Sequence, residues 1–370
     1  MTQPFTQPPG LRKKILITGG GTGGHVYPAL ALAEGFQLRN IDVIYVGSQQ
    51  GLESKLVPPL GIPTYWVTSG PLKNQSVTRR LRTAVQLIQG FYQAFQTLRA
   101  TRPDAVVGVG GYVSVPTAIA AFCLGIPLYL QEQNTSVGIA NRWLGRLARR
   151  IFLGFSAAET AFSRKKCVVT GNPIRSRFFD PPIPPAPHTA RRLLVMGGSQ
   201  GARAINEAMV ACVEAWQGTG PFDFIHHQTG PSQEQWVSDA YRRLLPQNRF
   251  LVESFVDPVT SAYAAASCIV CRSGALTVSE LLITQRPCVL IPFPRRGQND
   301  QTANAAMLER MGVGTVVLQG PNLESRLQQA LEEISQPDKF QKYQAAFPPL
   351  TAPYGTDRIC QEILKDWEKE

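Results

Sequence analysis

Two glycine-rich turns, each placed between an apolar run and a helical pattern, constrain the fold of this chain more than any other feature. The first lies in KKILITGGGTGGHVYPAL, which starts at Lys13, and the second in RRLLVMGGSQGARAINEA, which starts at Arg191. Each segment has two basic residues, a strand-like run, the turn and a helix, which is the entry of a Rossmann-like domain. We therefore predict an α/β fold with two Rossmann-like parallel-sheet domains that face a central cleft.

The chain length and a proline-rich segment place the boundary between these domains. At 370 residues the chain exceeds the size, about 250–300 residues, at which single cores stop growing. Residues 178–188, FFDPPIPPAPH, contain five prolines, which forbid regular structure and stiffen the chain as a spacer. We expect an N-terminal domain over residues 1–177, a linker over 178–190 and a C-terminal domain over 191–354.

Short apolar runs that alternate with helical periodicity predict parallel sheets in both halves. The predicted strands of the first half are Ile15–Thr18, Val43–Val46, Ala105–Val109, Leu128–Leu130 and Ile151–Leu153. Those of the second half are Leu193–Met196, Phe222–His226, Phe250–Val252, Ile269–Cys271, Val289–Pro292 and Thr315–Leu318.

Composition narrows the partners and the compartment. The formal net charge of +11 favours a polyanion, namely anionic lipid, nucleic acid or a phosphorylated ligand, and the lack of an RNA-binding signature disfavours nucleic acid. The first residues lack an apolar secretory core, and glycines and prolines break the uncharged stretch 105–131. We expect a cytoplasmic protein without a membrane span, in which Cys268 and Cys271 are buried free thiols.

The first turn fits the GxGxxG pattern through Gly19, Gly21 and Gly24. Such a turn brings backbone N–H groups and a helix N-terminus against phosphate or a developing oxyanion. Binding of NAD or FAD is disfavoured because no acidic residue that would hold the ribose ends the predicted second strand. A P-loop NTPase is disfavoured because His25 stands where that motif requires lysine.

The second turn and a later segment add further candidates. Gly197–Gly201, with the Ser199 hydroxyl, offers an anion site where a helix begins near Ala202, or is only a tight turn. The segment CRSGALTVSELL, from Cys271, carries Glu280 early in a helix, where its carboxylate accepts hydrogen bonds from a ribose diol or only caps the helix. Two such turns at the heads of two domains favour one ligand shared by both domains.

Taken together, these segments resemble the MurG family of bacterial glycosyltransferases. GGTGGHVYPAL, GVGGYVSVP, QEQN, GNPIR, GGSQGA, CRSGALTVSE and DQTANA occur in the order and at the spacing of that family, over residues 15–306. The resemblance implies the GT-B fold, with the donor held mainly by the C-terminal domain and a final helix, residues 355–370, packed back on the N-terminal one.

The resemblance also implies an activity and its partners. The reaction would be the inverting transfer of N-acetylglucosamine from UDP-GlcNAc to the 4-hydroxyl of MurNAc in undecaprenyl-diphosphate-linked muramyl-pentapeptide, a step of peptidoglycan synthesis. The enzyme would lie peripherally on an anionic membrane surface, the cytoplasmic face of the bacterial plasma membrane.

The resemblance further assigns residues to the donor and to the transferred sugar. The backbone around Val256 would hold uracil, Glu280 the ribose, and Ser199 with Arg175 the diphosphate. The start of the helix that carries Glu280 would also meet the diphosphate, through Ala275, Leu276, Thr277, Val278 and Ser279. Gln301 would read the sugar hydroxyls, and the N-terminal domain would approach the sugar through Thr22, Gly23, Gly24 and Asn134.

The sequence departs from the family pattern at two positions. The usual HEQN reads QEQN, so that Gln131 replaces a histidine and cannot be an obligatory base. The usual GYVSGP reads GYVSVP, and Val115 in place of glycine is expected to narrow the acceptor side.

A sugar hydroxyl must lose a proton during such a transfer, so the site needs a base with a pKa near neutral. His188 lies in the proline-rich segment, and His226 and His227 lie in or at the end of a predicted strand. His25 is the histidine on a glycine-rich turn, and an ordinary imidazole pKa of about 6.5 suits the role. Glu132 is the reserve candidate, and the alternative for His25 is a structural hydrogen bond to the turn.

The sequence also indicates how the diphosphate charge is met. No D-x-D triplet occurs in the chain, and the His and Asp residues show no metal-ligand spacing. We therefore expect neither a metal nor a cofactor, with helix dipoles and arginine stabilising the diphosphate instead.

Residues 72–100, which start with Leu72 and Lys73, predict a long helix with two possible uses of its faces. One apolar stripe, interpreted as a core stripe, comprises Leu81, Ala84, Ile88, Phe91, Phe95 and Leu98. Arginines early in the helix, together with off-stripe residues such as Leu87, would instead lie against anionic lipid; they are Arg79, Arg80 and Arg82.

Other functions remain open at this point. UDP-GlcNAc 2-epimerases have a similar two-domain architecture, although GVGGYVSVP with QEQN favours a transferase. Other glycolipid synthases with the GT-B fold are a further alternative, because the acceptor is identified by the resemblance alone. A non-catalytic sugar-nucleotide binding protein is disfavoured by the presence of both His25 and Glu280.

Overall fold

The computed structural model describes residues 12–70, 77–179, 182–183, 191–294, 300–350 and 354–369, with the backbone alone for 77–82. These residues form two compact units. The first unit contains the described residues up to Glu132, then Val137–Arg175 and the C-terminal residues from Tyr354. The second unit contains Gln133–Ser136 and the described residues between Ser176 and 350.

The first unit is built on a parallel sheet of seven described strands. They are β1 Lys14–Gly19, β2 Asp42–Gly47, β3 Thr64–Trp66, β4 Ala105–Gly110, β5 Leu128–Glu132, β6 Arg150–Leu153 and β7 Cys167–Val169. The strand order is β3-β2-β1-β4-β5-β6-β7, so the direction of winding reverses between β1 and β4. The helices are α1 Gly23–Gln37, α2 Glu53–Leu56, α3 Val77–Thr101, α4 Ser114–Cys123 and α5 Ile139–Leu144.

Both faces of this sheet are covered, which explains the nearly unbroken apolar sequence of its strands. Alternate side chains of β1 enter different cores: Ile15 and Ile17 pack with Phe36 of α1, whereas Leu16 packs with Leu98 of α3.

The second unit repeats this architecture with a parallel sheet of six described strands. They are β8 Arg192–Met196, β9 Phe224–Gln228, β10 Phe250–Glu253, β11 Cys268–Cys271, β12 Cys288–Leu290 and β13 Gly314–Val316, in the order β10-β9-β8-β11-β12-β13. The helices are α6 Arg203–Ala215, α7 Glu234–Leu244, α8 Val259–Ala265, α9 Ala275–Thr284, α10 Asp300–Met311, α11 Leu323–Ile334 and α12 Pro337–Ala345. Winding reverses between β8 and β11.

The last helix, α13 Gly355–Trp367, packs on the first unit. Its Ile359 and Ile363 join the core cluster that contains Phe36 of α1. The buried Asp366 accepts two hydrogen bonds of 2.7 Å from Arg150, one from Nε and one from Nη2. Burial alone would raise the pKa of Asp366, but the bonds and charge of Arg150 lower it overall, so the pair holds this helix as an ion pair at neutral pH.

The predicted fold class is confirmed, since both units are parallel-sheet α/β domains. The predicted strand cores agree with the structure, but three strands differ at their ends. β9 begins at Phe224, two residues later than expected, and β12 and β13 end at Leu290 and Val316, each two residues earlier than expected. Phe222 is buried in the core but precedes β9. The short strands β3 and β7 escaped prediction because each lies at a sheet edge and has only three residues.

The predicted core stripe of the long helix is wrong in its N-terminal half. Ala84 is exposed and Ile88 is 69% exposed, whereas Ala94 and Leu98 are buried. The reason is steric, because a Cβ on Gly90 would collide with the carbonyl oxygen of Thr68. The face of α3 that packs towards the sheet is therefore set by its small residues and not by its largest apolar ones.

Several other expectations can be compared with the described residues. Cys268 and Cys271 are buried free thiols, as predicted. Phe178, the first residue of the predicted linker, is buried with its ring 5.7 Å from that of Tyr263. No described helix is long and apolar enough to cross a membrane. Leu72, Lys73, His188, most of the linker, and the side chains of Arg79, Arg80, Leu81 and Arg82 lie outside the described residues.

Candidate active site

The candidate site residues follow the carboxyl ends of parallel strands, where α/β sheets bind ligands at the points of reversed winding. In the first unit, the first glycine-rich turn lies at the end of β1, and Gly110 and Gly111 lie at the end of the neighbouring β4. In the second unit, the second turn follows β8 and the helix α9 follows β11.

The first turn is fixed from three directions. The Gly21 N–H donates to Glu53 Oε2 at 2.8 Å, and the Tyr45 hydroxyl donates to the Gly19 carbonyl at 2.7 Å. The Gly20 N–H donates to the Gly110 carbonyl at 3.3 Å. Gly21 adopts a φ of +89°, a left-handed conformation that favours glycine. The turn is thus a rigid platform for the residues that follow.

His25 lies in the first turn of α1, directly after this platform. Thr22, in an extended conformation, precedes the helix, and Gly23 and Gly24 begin it. The His25 side chain is half-buried, and its Nδ1 atom is buried. The His25 N–H donates to the Thr22 carbonyl at 3.0 Å, and both Thr22 and Gly24 are exposed.

Arg175 contacts this region of the first unit. Its guanidinium lies 4.8 Å from the centre of the Tyr27 ring, two residues beyond His25. Such stacking fixes the orientation of an arginine.

The QEQN segment ends β5 and carries the reserve base. The Glu132 carboxylate is buried and accepts a hydrogen bond of 3.0 Å from the Asn141 amide. The neighbouring Gln131 is fully buried and donates to Asn172 Oδ1 at 2.9 Å. Both side chains therefore have structural bonding partners within the first unit.

The second turn has a different anchor. Gln228, at the end of β9, accepts from the Gly197 N–H at 3.1 Å and donates to the carbonyls of Gly198 and Ser254, at 3.1 and 2.9 Å. A Cβ on Gly201 would collide with the Thr229 carbonyl, so the close approach of these loops requires glycine. Ser199 is exposed at the tip of the turn.

Glu280 lies in the second turn of α9, whose N-terminus begins at Ala275. The fully buried Tyr263 donates its hydroxyl to Glu280 Oε2 at 3.0 Å. Burial, and after it the charge of Glu280, raises the pKa of Tyr263 well above its usual range, so the phenol keeps its proton and remains a donor. The Arg286 guanidinium donates to the Tyr263 carbonyl at 2.8 Å and fixes the helix that carries this tyrosine.

The remaining predicted donor residues also lie at this edge of the second sheet. Val256 is buried in the loop after β10, next to the exposed Phe255. Gln301, at the start of α10, accepts a hydrogen bond of 2.9 Å from the Phe293 N–H. Asn134 groups with this unit, since its Oδ1 accepts from the buried Asn304 at 3.4 Å.

The histidines of β9 are structural. His227 is fully buried, with Nδ1 2.9 Å from the Tyr241 hydroxyl and Nε2 3.1 Å from Asn206 Oδ1. Burial lowers its pKa to about 3, so the ring is neutral near pH 7. His226 Nε2 lies 2.6 Å from Glu253 Oε2.

Sequence reasoning missed three residues that organise the candidate site: Glu53, Gln228 and Tyr263. Glu53 stands at the start of a short helix, where a carboxylate is ordinary because of the helix dipole. Gln228 is the last residue of a strand and Tyr263 lies inside a helix, and the polarity of neither side chain gives a separate signal in the sequence. Among the described residues, no group of three His, Cys, Asp or Glu side chains has the arrangement of a metal site.

Comparison with known proteins agrees with this architecture. The model of the glycosyltransferase family 28 N-terminal domain matches residues 15–153, and that of its C-terminal domain matches residues 192–349. The chain belongs to glycosyltransferase family 28.

Curated relatives in this family match nearly the whole chain. A protein of Anaeromyxobacter dehalogenans is 35% identical over 95% of this chain and 93% of its own length, and one of Syntrophotalea carbinolica is 40% identical over 83% and 85%. Both are named UDP-N-acetylglucosamine--N-acetylmuramyl-(pentapeptide) pyrophosphoryl-undecaprenol N-acetylglucosamine transferase.

Solved structures agree with the family assignment and with the GT-B fold class. The crystal structure of Acinetobacter baumannii MurG has a TM-score of 0.78 and 28% identity, and the match covers 95% of this chain and 99% of that one. A putative UDP-N-acetylglucosamine 2-epimerase of Listeria monocytogenes has a TM-score of 0.67 at 14% identity, covering 97% of each chain, which reflects the shared fold alone.

Proposed function

We propose that this family 28 protein transfers N-acetylglucosamine from UDP-GlcNAc to the 4-hydroxyl of MurNAc in undecaprenyl-diphosphate-linked muramyl-pentapeptide, with inversion. The observation that carries the proposal is the match over nearly the whole chain to relatives named for this transfer. The bond between the anomeric carbon and UDP breaks, and a bond to the acceptor oxygen forms. The acceptor proton passes to a base, and UDP leaves with the bonding electrons.

We assign the base to His25. The first turn holds its ring at the start of α1, and the buried His227 is ruled out as an alternative by its lowered pKa and its two bonding partners. Glu132 remains the reserve, although its carboxylate is buried and bonded to Asn141. Thr22, Gly23 and Gly24 supply the surface against which the sugar lies.

We assign the donor mainly to the second unit. The second turn, with Ser199, and the start of α9 present backbone amides to the diphosphate, with Arg175 as an added cation. Glu280 has an oxygen bonded by Tyr263, which orients the carboxylate for the ribose diol. The backbone near Val256 meets uracil, and Gln301, oriented by the Phe293 N–H, meets the sugar hydroxyls.

Incubation with the proposed donor and acceptor tests the transfer reaction directly. The purified protein is incubated with UDP-GlcNAc and a short-chain lipid-linked muramyl-pentapeptide, and the product is analysed by mass spectrometry. We expect a gain of one N-acetylhexosamine on the lipid and release of UDP. Epimerised UDP-sugar without a lipid product would instead make the protein an isomerase.

We also propose that the first unit docks on an anionic membrane surface, at the cytoplasmic face of the plasma membrane. Three of its helices pack in sequence, α3 on α4 and α4 on α5. They expose large apolar side chains, namely Val85, Ile88, Tyr92, Ile119, Phe122, Ile139 and Trp143. The guanidinium of Arg146 lies 4.5 Å from the centre of the exposed Trp143 ring, which places a cation beside an interfacial aromatic.

Liposome co-sedimentation tests this docking face. The variant Ile88→Ser with Trp143→Ser should bind vesicles that contain anionic lipid about tenfold more weakly than the wild type. Leu38→Ser is the matched control, because Leu38 is equally exposed but lies at the end of α1. Equal binding of the double variant and the control, or binding that ignores anionic lipid content, would reject the surface.

A further inference from the structure

Glu53 is a buried carboxylate that neither strand pattern nor motif explains. It is 0% exposed at the start of α2, and each carboxylate oxygen accepts a backbone N–H: Oε2 from Gly21 at 2.8 Å and Oε1 from Ser48 at 2.9 Å. Among the described residues it has no ion-pair partner. A buried charge is costly unless such bonds stabilise it, so this position has a specific use.

Three glycines leave room for this carboxylate. A Cβ built on Gly20 or on Gly51 would collide with the carboxyl group of Glu53, and a Cβ on Gly47 would lie 2.8 Å from its Cγ. Gly20 belongs to the first glycine-rich turn, whereas Gly47 and Gly51 flank the loop after β2. Two loops therefore close around one side chain.

The charge of Glu53 distinguishes the first turn from the second. The same task of tying the turn to a neighbouring loop is performed in the second unit by the neutral Gln228. A fixed carboxylate that consumes the Gly21 N–H repels a phosphate brought to that turn, since like charges at close range are unfavourable. A neutral hydroxyl meets no such repulsion.

We propose that Glu53 is a positioning and specificity-determining residue: its carboxylate fixes the first turn, and through it His25, and keeps diphosphate groups away from that turn. This inference rests on the proposed transfer reaction. Because a displacement of about 1 Å at a reacting group costs up to about 100-fold in rate, loss of the clamp should be visible in kcat.

The variant Glu53→Gln tests both parts, since it keeps the length of the side chain and removes the charge. We expect kcat for transfer to the lipid acceptor to fall about 10- to 100-fold, with the dissociation constant of UDP within about twofold of the wild-type value. At saturating UDP-GlcNAc, inorganic pyrophosphate should inhibit the variant competitively against the acceptor, at concentrations about tenfold below those that affect the wild type. Glu368→Gln, an exposed carboxylate of the same unit, is the matched control.

Each other outcome contradicts the proposal. A kcat within about twofold of the wild-type value would remove Glu53 from the reaction. A parallel loss of UDP binding and thermal stability would make it a merely structural residue, and unchanged sensitivity to pyrophosphate would overturn the exclusion of diphosphate.

Hydrogen exchange separates this proposal from the transfer reaction. The amides of residues 19–25, the amide of Ser48, or both should exchange faster in Glu53→Gln than in the wild type, whatever the activity, because the one carbonyl oxygen of glutamine cannot accept from both the Gly21 and the Ser48 N–H. A wild type that transfers no sugar would defeat the proposed function, whereas unchanged exchange in the variant would defeat the clamp.

Discussion

The two glycine-rich turns look alike in sequence but are tied to their units by side chains of different charge. The turn after β1 is held by the carboxylate of Glu53, and the turn after β8 is held by the amide of Gln228. Both anchors are buried and both bond backbone groups of the turn. The same strand, turn and helix can therefore favour different ligands, depending on the charge of the side chain that anchors the turn.

The contrast explains a division of labour in the proposed reaction. A turn anchored by a neutral side chain keeps the positive electrostatic potential of its backbone N–H groups, which favours a diphosphate. A turn anchored by a carboxylate suits a proton acceptor and the neutral 4-hydroxyl of the acceptor sugar. The proposed reaction thus assigns the UDP diphosphate to the second turn and proton transfer by His25 to the first.

The largest expected effect comes from the base on the first turn. His25→Ala should lower kcat about 10²–10⁴-fold while leaving UDP binding nearly intact, since the proposed role of the imidazole is at the attacking hydroxyl and not at the nucleotide. Steady-state kinetics with the lipid acceptor and calorimetric titration with UDP measure the two quantities. Near-normal turnover would move the base elsewhere, with Glu132→Gln as the next variant.

A carboxylate placed behind the second turn should damage donor binding. Gln228→Glu loses the two N–H donors to the Gly198 and Ser254 carbonyls and adds a charge of the same sign as the diphosphate. We expect UDP affinity to fall about tenfold or more, measured by calorimetry. Gln247→Glu, exposed in the same unit, is the control, and equal affinities of the two variants would break the comparison between the turns.

A smaller effect is expected from Tyr263, which orients the Glu280 carboxylate that we propose binds the ribose diol. Tyr263→Phe removes the hydroxyl that bonds Glu280 and should weaken UDP binding about threefold, the size of one ordinary hydrogen bond. The same substitution should hardly change the affinity for 2′,3′-dideoxy-UDP, which lacks the diol. Equal weakening for both nucleotides would mean that Glu280 does not read the ribose.

The smallest effect is expected from metal chelation. If the amides of the second turn and of α9 meet the diphosphate charge, then EDTA should leave the initial rate unchanged. Loss of activity with EDTA, restored by Mg²⁺ or Mn²⁺, would show that the second turn is insufficient by itself.

Local signals made much of the fold predictable from the sequence. An apolar run followed by a glycine-rich turn marks a strand, a close backbone approach and a helix start within a few neighbouring residues, and both turns lie where those signals placed them. The predicted site residues remain predictions, but the elements that carry them were recognisable.

The anchors behind the turns were not predictable, because each bond joins distant parts of the chain. Glu53 and Gly21 are 32 residues apart, Gln228 and Gly198 are 30 apart, and Tyr263 and Glu280 are 17 apart. The face of α3 was misjudged for a similar reason, since the carbonyl that Gly90 approaches belongs to Thr68, in another segment. Such pairs become visible only when the sheet brings the loops together.

A crystal structure with UDP-GlcNAc bound tests the division between the two turns most directly. We predict that the diphosphate contacts the backbone at Gly197–Gly201 and the start of α9, with the ribose hydroxyls on Glu280 and no phosphate oxygen bonded to the amides of residues 20–24. A diphosphate seated on the first turn, beside Glu53, would contradict the account.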